Sequence, residues 1–125
     1  MDEKQKVMIK WLENETKGKR WYTYFLTYDY KNITIYGAGD LGKLLIWELK
    51  DSKVKVNSVI DRRANEIVEY ESLTVYGLDE FLESDIKTDA IVVTALNAYE
   101  EVLKKTAEKR IDLPVLFLRD MVYEL

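Results

Sequence analysis

Two hydrophobic rhythms divide the chain. Val7, Met8, Trp11 and Leu12 recur at the spacing of one helical face, Lys17-Gly18-Lys19 interrupts, and Trp21, Tyr22, Tyr24, Phe25, Leu26 and Tyr28 crowd the next stretch. This predicts two short helices joined at Gly18, with the glycine as the C-terminal stop and Lys17 and Lys19 suited to the negative end of a helix dipole. From Asn32 onward, short β-branched runs alternate with longer amphipathic ones, the pattern of an α/β domain with a parallel sheet.

The predicted strands are 33–36, 54–60, 73–76, 90–94 and 114–118, with Pro114 at the first residue of the last, where its missing N–H does no harm. Residues 90–94 have the continuous apolar character of a central strand. Leu41, Leu44, Leu45 and Leu49 share a helical face that Ile46 and Trp47 broaden, so this helix is expected to be buried on more than one side. A short helix is expected over 78–82. Another is marked by Ala98, Val102, Leu103, Ala107 and Ile111, and a closing helical turn is expected in 119–125. The connection 62–71 shows no helical period.

Three of the five glycines fall in one loop, Gly37-Ala38-Gly39-Asp40-Leu41-Gly42. This G-x-G-x-x-G follows a predicted strand, opens a predicted helix, and precedes by nineteen residues Asp61 at the end of the second strand. In that context Gly37 permits the tight turn and Gly39 lets main chain approach a pyrophosphate. Gly42 lets the helix lie close to the sheet, and the free N–H groups of the helix start face an anion. A βαβ turn also needs glycines merely to close, which accounts for Gly37 and Gly42 but not for Gly39. Asp61 is placed to accept from ribose hydroxyls and to repel a 2′-phosphate, favouring NAD over NADP, a preference that Arg62 and Arg63 weaken. Acids at strand ends also simply face solvent. Asp40 suits the dipole of an empty helix start and sits uneasily beside a phosphate.

The expected architecture is a three-layer Rossmann-like α/β domain over 31–125, with five mostly parallel strands in the order 3-2-1-4-5. It is preceded by an N-terminal helical extension over 1–30.

Composition narrows the chemistry. At 125 residues the chain builds one core. With no Cys and no His it has no zinc finger, thiol nucleophile, disulfide frame or Ser-His-Asp triad. A net charge of −4 with no gathered basic face argues against nucleic acid as a partner. No apolar run approaches the roughly 20 residues of a bilayer span, and the polar start does not resemble a secretory signal, so a cytoplasmic location is expected.

The segment ITIYGAGDLGKLLIWELKDSKVKVNSVIDRR resembles the nucleotide-binding module of bacterial surface-polysaccharide proteins. These include the dinucleotide-binding domain of nucleotide-sugar epimerases and dehydratases and the N-terminal domain of sugar O-acyltransferases. Ile60-Asp61 matches the I-D pair that ends the second strand there, and the stretch LTVYGLDEFL is similar to the strand and helix that follow. The resemblance implies Gly37, Gly39, Gly42 and Asp61 as nucleotide contacts and a role in polysaccharide or nucleotide-sugar biosynthesis. Arg62, Arg63 and Ala64 replace the aspartates or proline usual after the pair.

A nicotinamide enzyme needs a proton donor or acceptor near the hydride, and none of the nine tyrosines has Lys or Arg four residues on. Thr94 and Asn97, after the fourth strand, are placed to touch a ligand but do not titrate near neutral pH. Asn97 also reads as an N-cap with Glu100 three residues later. The acidic stretches around Glu69 and Glu80 read as solvated faces.

The expectation is therefore a module for NAD(H), NADP or a nucleotide-sugar, held by Gly37, Ala38, Gly39, Asp40, Leu41, Gly42, Asp61, Arg62 and Thr94, without a metal. The alternatives are a ligand-free interaction module of a biosynthetic complex and a small oxidoreductase subunit completed by a partner. The crowded N-terminal aromatics either cover one face of the sheet or form a homodimer or a dock for a larger biosynthetic enzyme.

Overall fold

A computed structural model describes residues 1–67 and 69–125 of the chain; within the 62–71 connection, Val68 lies outside the described residues. Helix α1 (Glu3–Thr16) starts at a capping box, in which the Asp2 carboxylate accepts the Gln5 N–H at 2.8 Å and the Gln5 side chain accepts the Asp2 N–H at 3.1 Å. It ends before Gly18, whose φ of +73° lies in the left-handed region that glycine enters most easily. Helix α2 (Trp21–Thr27) follows. The alternating part is β1 (Asn32–Tyr36), α3 (Asp40–Leu49), β2 (Lys55–Ile60), β3 (Glu69–Tyr70), β4 (Leu73–Tyr76), α4 (Leu78–Glu83), β5 (Ala90–Val93), α5 (Tyr99–Lys109), β6 (Val115–Phe117) and α6 (Leu118–Met121).

Among the described residues the sheet has six strands in the order β3-β4-β2-β1-β5-β6, parallel at every pairing except β3 with β4. Count and order thus differ from the expected five strands in the order 3-2-1-4-5. The added member is β3, an antiparallel edge strand of two residues, too short to show a period. Its turn runs through Glu71 and Ser72 at φ +51° and +65°, positions where Asn-Gly is the usual signal.

The two sheet faces alternate with residue number, as a pleated strand requires. Ile33, Ile35 and Val92 pack with Trp11, Trp21, Phe25, Leu45 and Leu118, so α1, α2, α3 and α6 cover one face. Tyr36, Ile91 and Val93 pack with Phe81, Leu82 and Val102 of α4 and α5 on the other. Three of the N-terminal aromatics, Trp11, Trp21 and Phe25, are thereby core side chains. Two expectations about helix faces are corrected. Trp47 is 55% exposed, its indole N–H donating to Glu71 at 2.9 Å, because α3 turns only Leu41, Gly42, Leu45 and Leu49 fully inward. On α5, Thr106 is buried while Leu103 is exposed, and Ile111 lies exposed beyond the helix end.

Register places the site. Tyr36, the last residue of β1, stands opposite Ile60 of β2 and Val93 of β5. The next residues, Gly37, Asp61 and Thr94, therefore emerge side by side at the carboxyl ends of three neighbouring strands.

Candidate functional site

The glycine loop is fastened from both sides. The Gly37 N–H donates to the Ile60 carbonyl at 2.8 Å, and the Thr94 hydroxyl lies 3.0 Å from the Tyr36 carbonyl and 3.2 Å from that of Gly37. Gly37 has φ +120°, and a Cβ there would stand 2.6 Å from Thr94 Oγ1 and 3.0 Å from the Ala95 nitrogen. Glycine is required at this position by backbone and by space. Gly42 is required by space alone, since its Cβ would run into the Gly37 carbonyl oxygen.

Gly39 is different. It is the N-cap of α3, in ordinary extended backbone at φ −123°, ψ −162°, with no heavy atom within 4 Å of a built Cβ and no side-chain cap on the helix. A Ser, Asp or Asn here would satisfy one of the helix's free N–H groups and stabilise it. Among the described residues, nothing in the packing asks for glycine.

Asp61 is 8% exposed, and its carboxylate is committed to the loop. Oδ2 accepts the Ala38 N–H at 2.7 Å, while Oδ1 accepts the Arg63 N–H at 2.9 Å and the Arg63 guanidinium at 3.0 Å. Burial pushes this carboxyl up, but the Arg63 guanidinium and the two amides outweigh it and hold it below the usual carboxylate range. Arg63 also donates to the Ala38 carbonyl at 3.1 Å, so Asp61 and Arg63 between them hold both main-chain polar groups of Ala38. The acid expected to hold ribose hydroxyls is thus a brace for the loop. From the edge hairpin, the Tyr70 hydroxyl donates to the Gly39 carbonyl; burial pushes this phenol up to about 12, so it remains a donor.

A cleft of about 330 Å³ opens over the loop, lined by Gly37, Ala38, Gly39, Asp40 and Leu41 together with Asp61, Arg63, Thr94, Ala95, Leu96 and Lys4. Lys4 reaches in from α1 and pairs with Asp40 at 2.5 Å, holding the Asp40 carboxyl below its usual range and cancelling the charge that sat awkwardly beside a phosphate. Both side chains of the pair are largely in solvent.

Of the expected site residues, the structure gathers Gly37, Ala38, Gly39, Asp40, Leu41, Asp61 and Thr94 at the cleft. Gly42 packs beneath it against the sheet. Arg62 points elsewhere, paired with Glu101 of α5 at 2.5 Å. Asn97 is not the N-cap of α5: that position is Ala98, without a side-chain cap. Sequence reasoning missed Lys4 and Tyr70 as neighbours of the loop, since each comes from an element distant in sequence with no local motif. A roomier hollow of about 750 Å³ lies beside residues 84–89 and 109–113. The Arg110 guanidinium there is consumed by four main-chain carbonyls, Phe81 at 3.1 Å, Leu82 at 3.2 Å, Ser84 at 2.5 Å and Ile86 at 2.8 Å, which makes it a clamp on the end of α4.

Fold and cleft together define a class: an α/β domain whose mostly parallel sheet carries a glycine-loop cleft at the carboxyl ends of its central strands. Within that class the chain matches the family described as C2185-like, N-terminal, over residues 29–114, and it belongs to that family. The match starts after α2, so Lys4 comes from outside the matched segment. This finding corrects the resemblance to the dinucleotide-binding domains of nucleotide-sugar epimerases and to acyltransferase N-terminal domains, because the family matched is a different one. With that resemblance goes the only support for a place in polysaccharide biosynthesis. No curated protein matches the chain. Among the described residues, no helix is long and apolar enough to cross a membrane.

Proposed function

We propose that the protein binds a nucleotide through its diphosphate, in a Rossmann-like arrangement with the phosphates against the N-terminus of α3. The observation that carries this reading is Gly39: an uncapped helix start, bare of side chain, facing open space, where the fold's own stability would favour Ser or Asp. Arg63 at the rim supplies positive charge fixed by Asp61, and Lys4, held only by an exposed pair with Asp40, supplies movable positive charge for an incoming anion. NAD(H) and nucleotide-sugars both carry the required diphosphate. With Asp61 engaged by Ala38 and Arg63, the ribose is held by other groups, and the discrimination between NAD and NADP does not come from this acid. The cleft is at the small end of ligand sites, suited to the diphosphate and one adjoining sugar, with the rest of the molecule on the surface.

Calorimetric titration with NADH, NADPH, a UDP-sugar and coenzyme A tests it. Saturable binding of at least one of them, lost in a folded Gly39→Val variant, is the expected result. Silence toward all four refutes the proposal and favours a second reading, an interaction module without a ligand. That reading draws on the Asp61 carboxylate, which already occupies the Ala38 amide within the chain itself.

A further inference from the structure

A second cleft, of about 580 Å³, lies among α1, α2 and α3 and shares no residue with the glycine loop. Its walls are aromatic and aliphatic: Trp11, Tyr22, Trp47 and Leu12, the last three 40%, 55% and 64% exposed. Large apolar side chains left this open need an explanation that the core does not give.

The same cleft holds an unbalanced charge cluster. Glu48 of α3 is locked in place, with Oε1 accepting the Trp11 indole N–H at 2.8 Å and Oε2 accepting the Trp21 main-chain N–H at 2.7 Å. Glu15 of α1 lines the same cleft. Arg20, at the start of α2, pairs with Glu15 at 2.8 Å and, among the described residues, makes no ion pair with Glu48. Lys43, on α3 itself, lies 6.0 Å from the Trp47 ring and pairs with neither carboxylate among the described residues. Two carboxylates thus meet one guanidinium, and the cluster is short of one positive charge. Burial first, then Glu15, push the Glu48 carboxyl up to about 7, against the two N–H donors that pull it down.

We propose that this cleft is a binding site for a small organic ammonium carrying an apolar or aromatic body. Its charge completes the Glu15–Glu48–Arg20 cluster, and its body lies against Trp11, Tyr22 and Trp47. Indole and phenol faces attract cations, and a half-buried carboxylate pair supplies the counter-charge that water supplies poorly there.

The experiment titrates the intact chain with phenethylammonium, its uncharged analogue 2-phenylethanol and the anion 3-phenylpropionate, following calorimetric heat and tryptophan fluorescence. The ammonium is expected to bind saturably and at least about tenfold more tightly than the alcohol, with the anion silent. Because ammonium and proton compete, its affinity falls about tenfold from about pH 8 to about pH 6, and binding near pH 7 releases a proton into the buffer. Glu15→Gln leaves both hydrogen bonds to Glu48 intact and frees Arg20 to neutralise it, so this variant folds, loses ammonium binding and loses the pH dependence. Alcohol binding as tight as ammonium, an affinity flat across that pH range, absence of saturable ammonium binding, or unchanged binding in folded Glu15→Gln each overturns the proposal.

Discussion

The contrast between Gly37 and Gly39 yields the sharpest stability prediction, because the same substitution at two positions two residues apart has opposite consequences. Placing serine at Gly37 forces a side chain into φ +120°, which costs about 1–3 kcal/mol in backbone strain. It also drives a Cβ to within 2.6 Å of Thr94 Oγ1 and 3.0 Å of the Ala95 nitrogen, an overpacking of about 1–3 kcal/mol more. Thr94 is held by its hydrogen bond to the Tyr36 carbonyl and yields only by giving it up. The sum, about 2–6 kcal/mol, is a large part of the roughly 5–15 kcal/mol that keeps a domain folded. At Gly39 the backbone is ordinary and the Cβ enters open space, so serine there caps α3 and gains a few tenths of a kcal/mol. Urea unfolding followed by circular dichroism measures both: the midpoint falls steeply for Gly37→Ser and holds or rises for Gly39→Ser. Equal destabilisation at the two positions would show that Gly39 is packed like Gly37 and refute the reasoning.

Further consequences concern the other polar groups. Glu48 has its carboxyl pushed from 4.5 to about 7, so its protonation stabilises the fold below about pH 4.5 and that stability is lost as the pH rises through about 7. Discounted for solvent at a half-exposed side chain, the loss is about 1 kcal/mol, read as a lower urea midpoint at pH 8 than at pH 5; Glu48→Gln flattens it. Asp61, held low by Arg63 and Ala38, contributes in the opposite sense: its share is present above the usual carboxylate range and lost as the pH falls below it. Asp61→Ala is expected to cost about 2–3 kcal/mol and to speed hydrogen exchange at Ala38. Arg110→Met strips four carbonyls at the end of α4 of their donor and lowers the free energy of unfolding by about 2–4 kcal/mol, read as a lower urea midpoint, without changing any binding at the glycine loop.

Much of the α/β pattern was legible because β-branched runs and heptad-like faces carry strong periods, as in residues 33–36 and 90–93. The motif that opens α3 also announced where the loop would fall, since glycines at 37 and 42 answer to local backbone and helix packing. What stayed hidden depends on distance. The two-residue β3 has no period and turns through Glu71 and Ser72 rather than a glycine, and the Tyr70 hydroxyl on the loop could be seen only once that hairpin was placed. Lys4 meets Asp40 across α1 and α3, which no spacing rule connects. Trp47 looked like core by hydrophobicity, yet lies on the side of α3 that faces solvent and Glu71. Asp61 occupied the expected position at a strand end, but the carboxylate expected to accept from ribose hydroxyls is engaged by the Ala38 amide and by Arg63, which local spacing did not reveal. Arg62 sat beside it in sequence and turned to α5, because successive residues leaving a strand point to opposite faces.

Nucleotide binding at this cleft requires the main-chain amides at the start of α3 to be free for an anion, and a titration with inorganic pyrophosphate followed by amide nuclear magnetic resonance addresses that directly. Saturable shifts are expected, concentrated at Gly39, Asp40, Leu41 and Gly42, with Lys4 released from Asp40 and no shift at the hollow beside Arg110. Shifts scattered over surface lysines, or none at the helix start at saturating pyrophosphate, would contradict it.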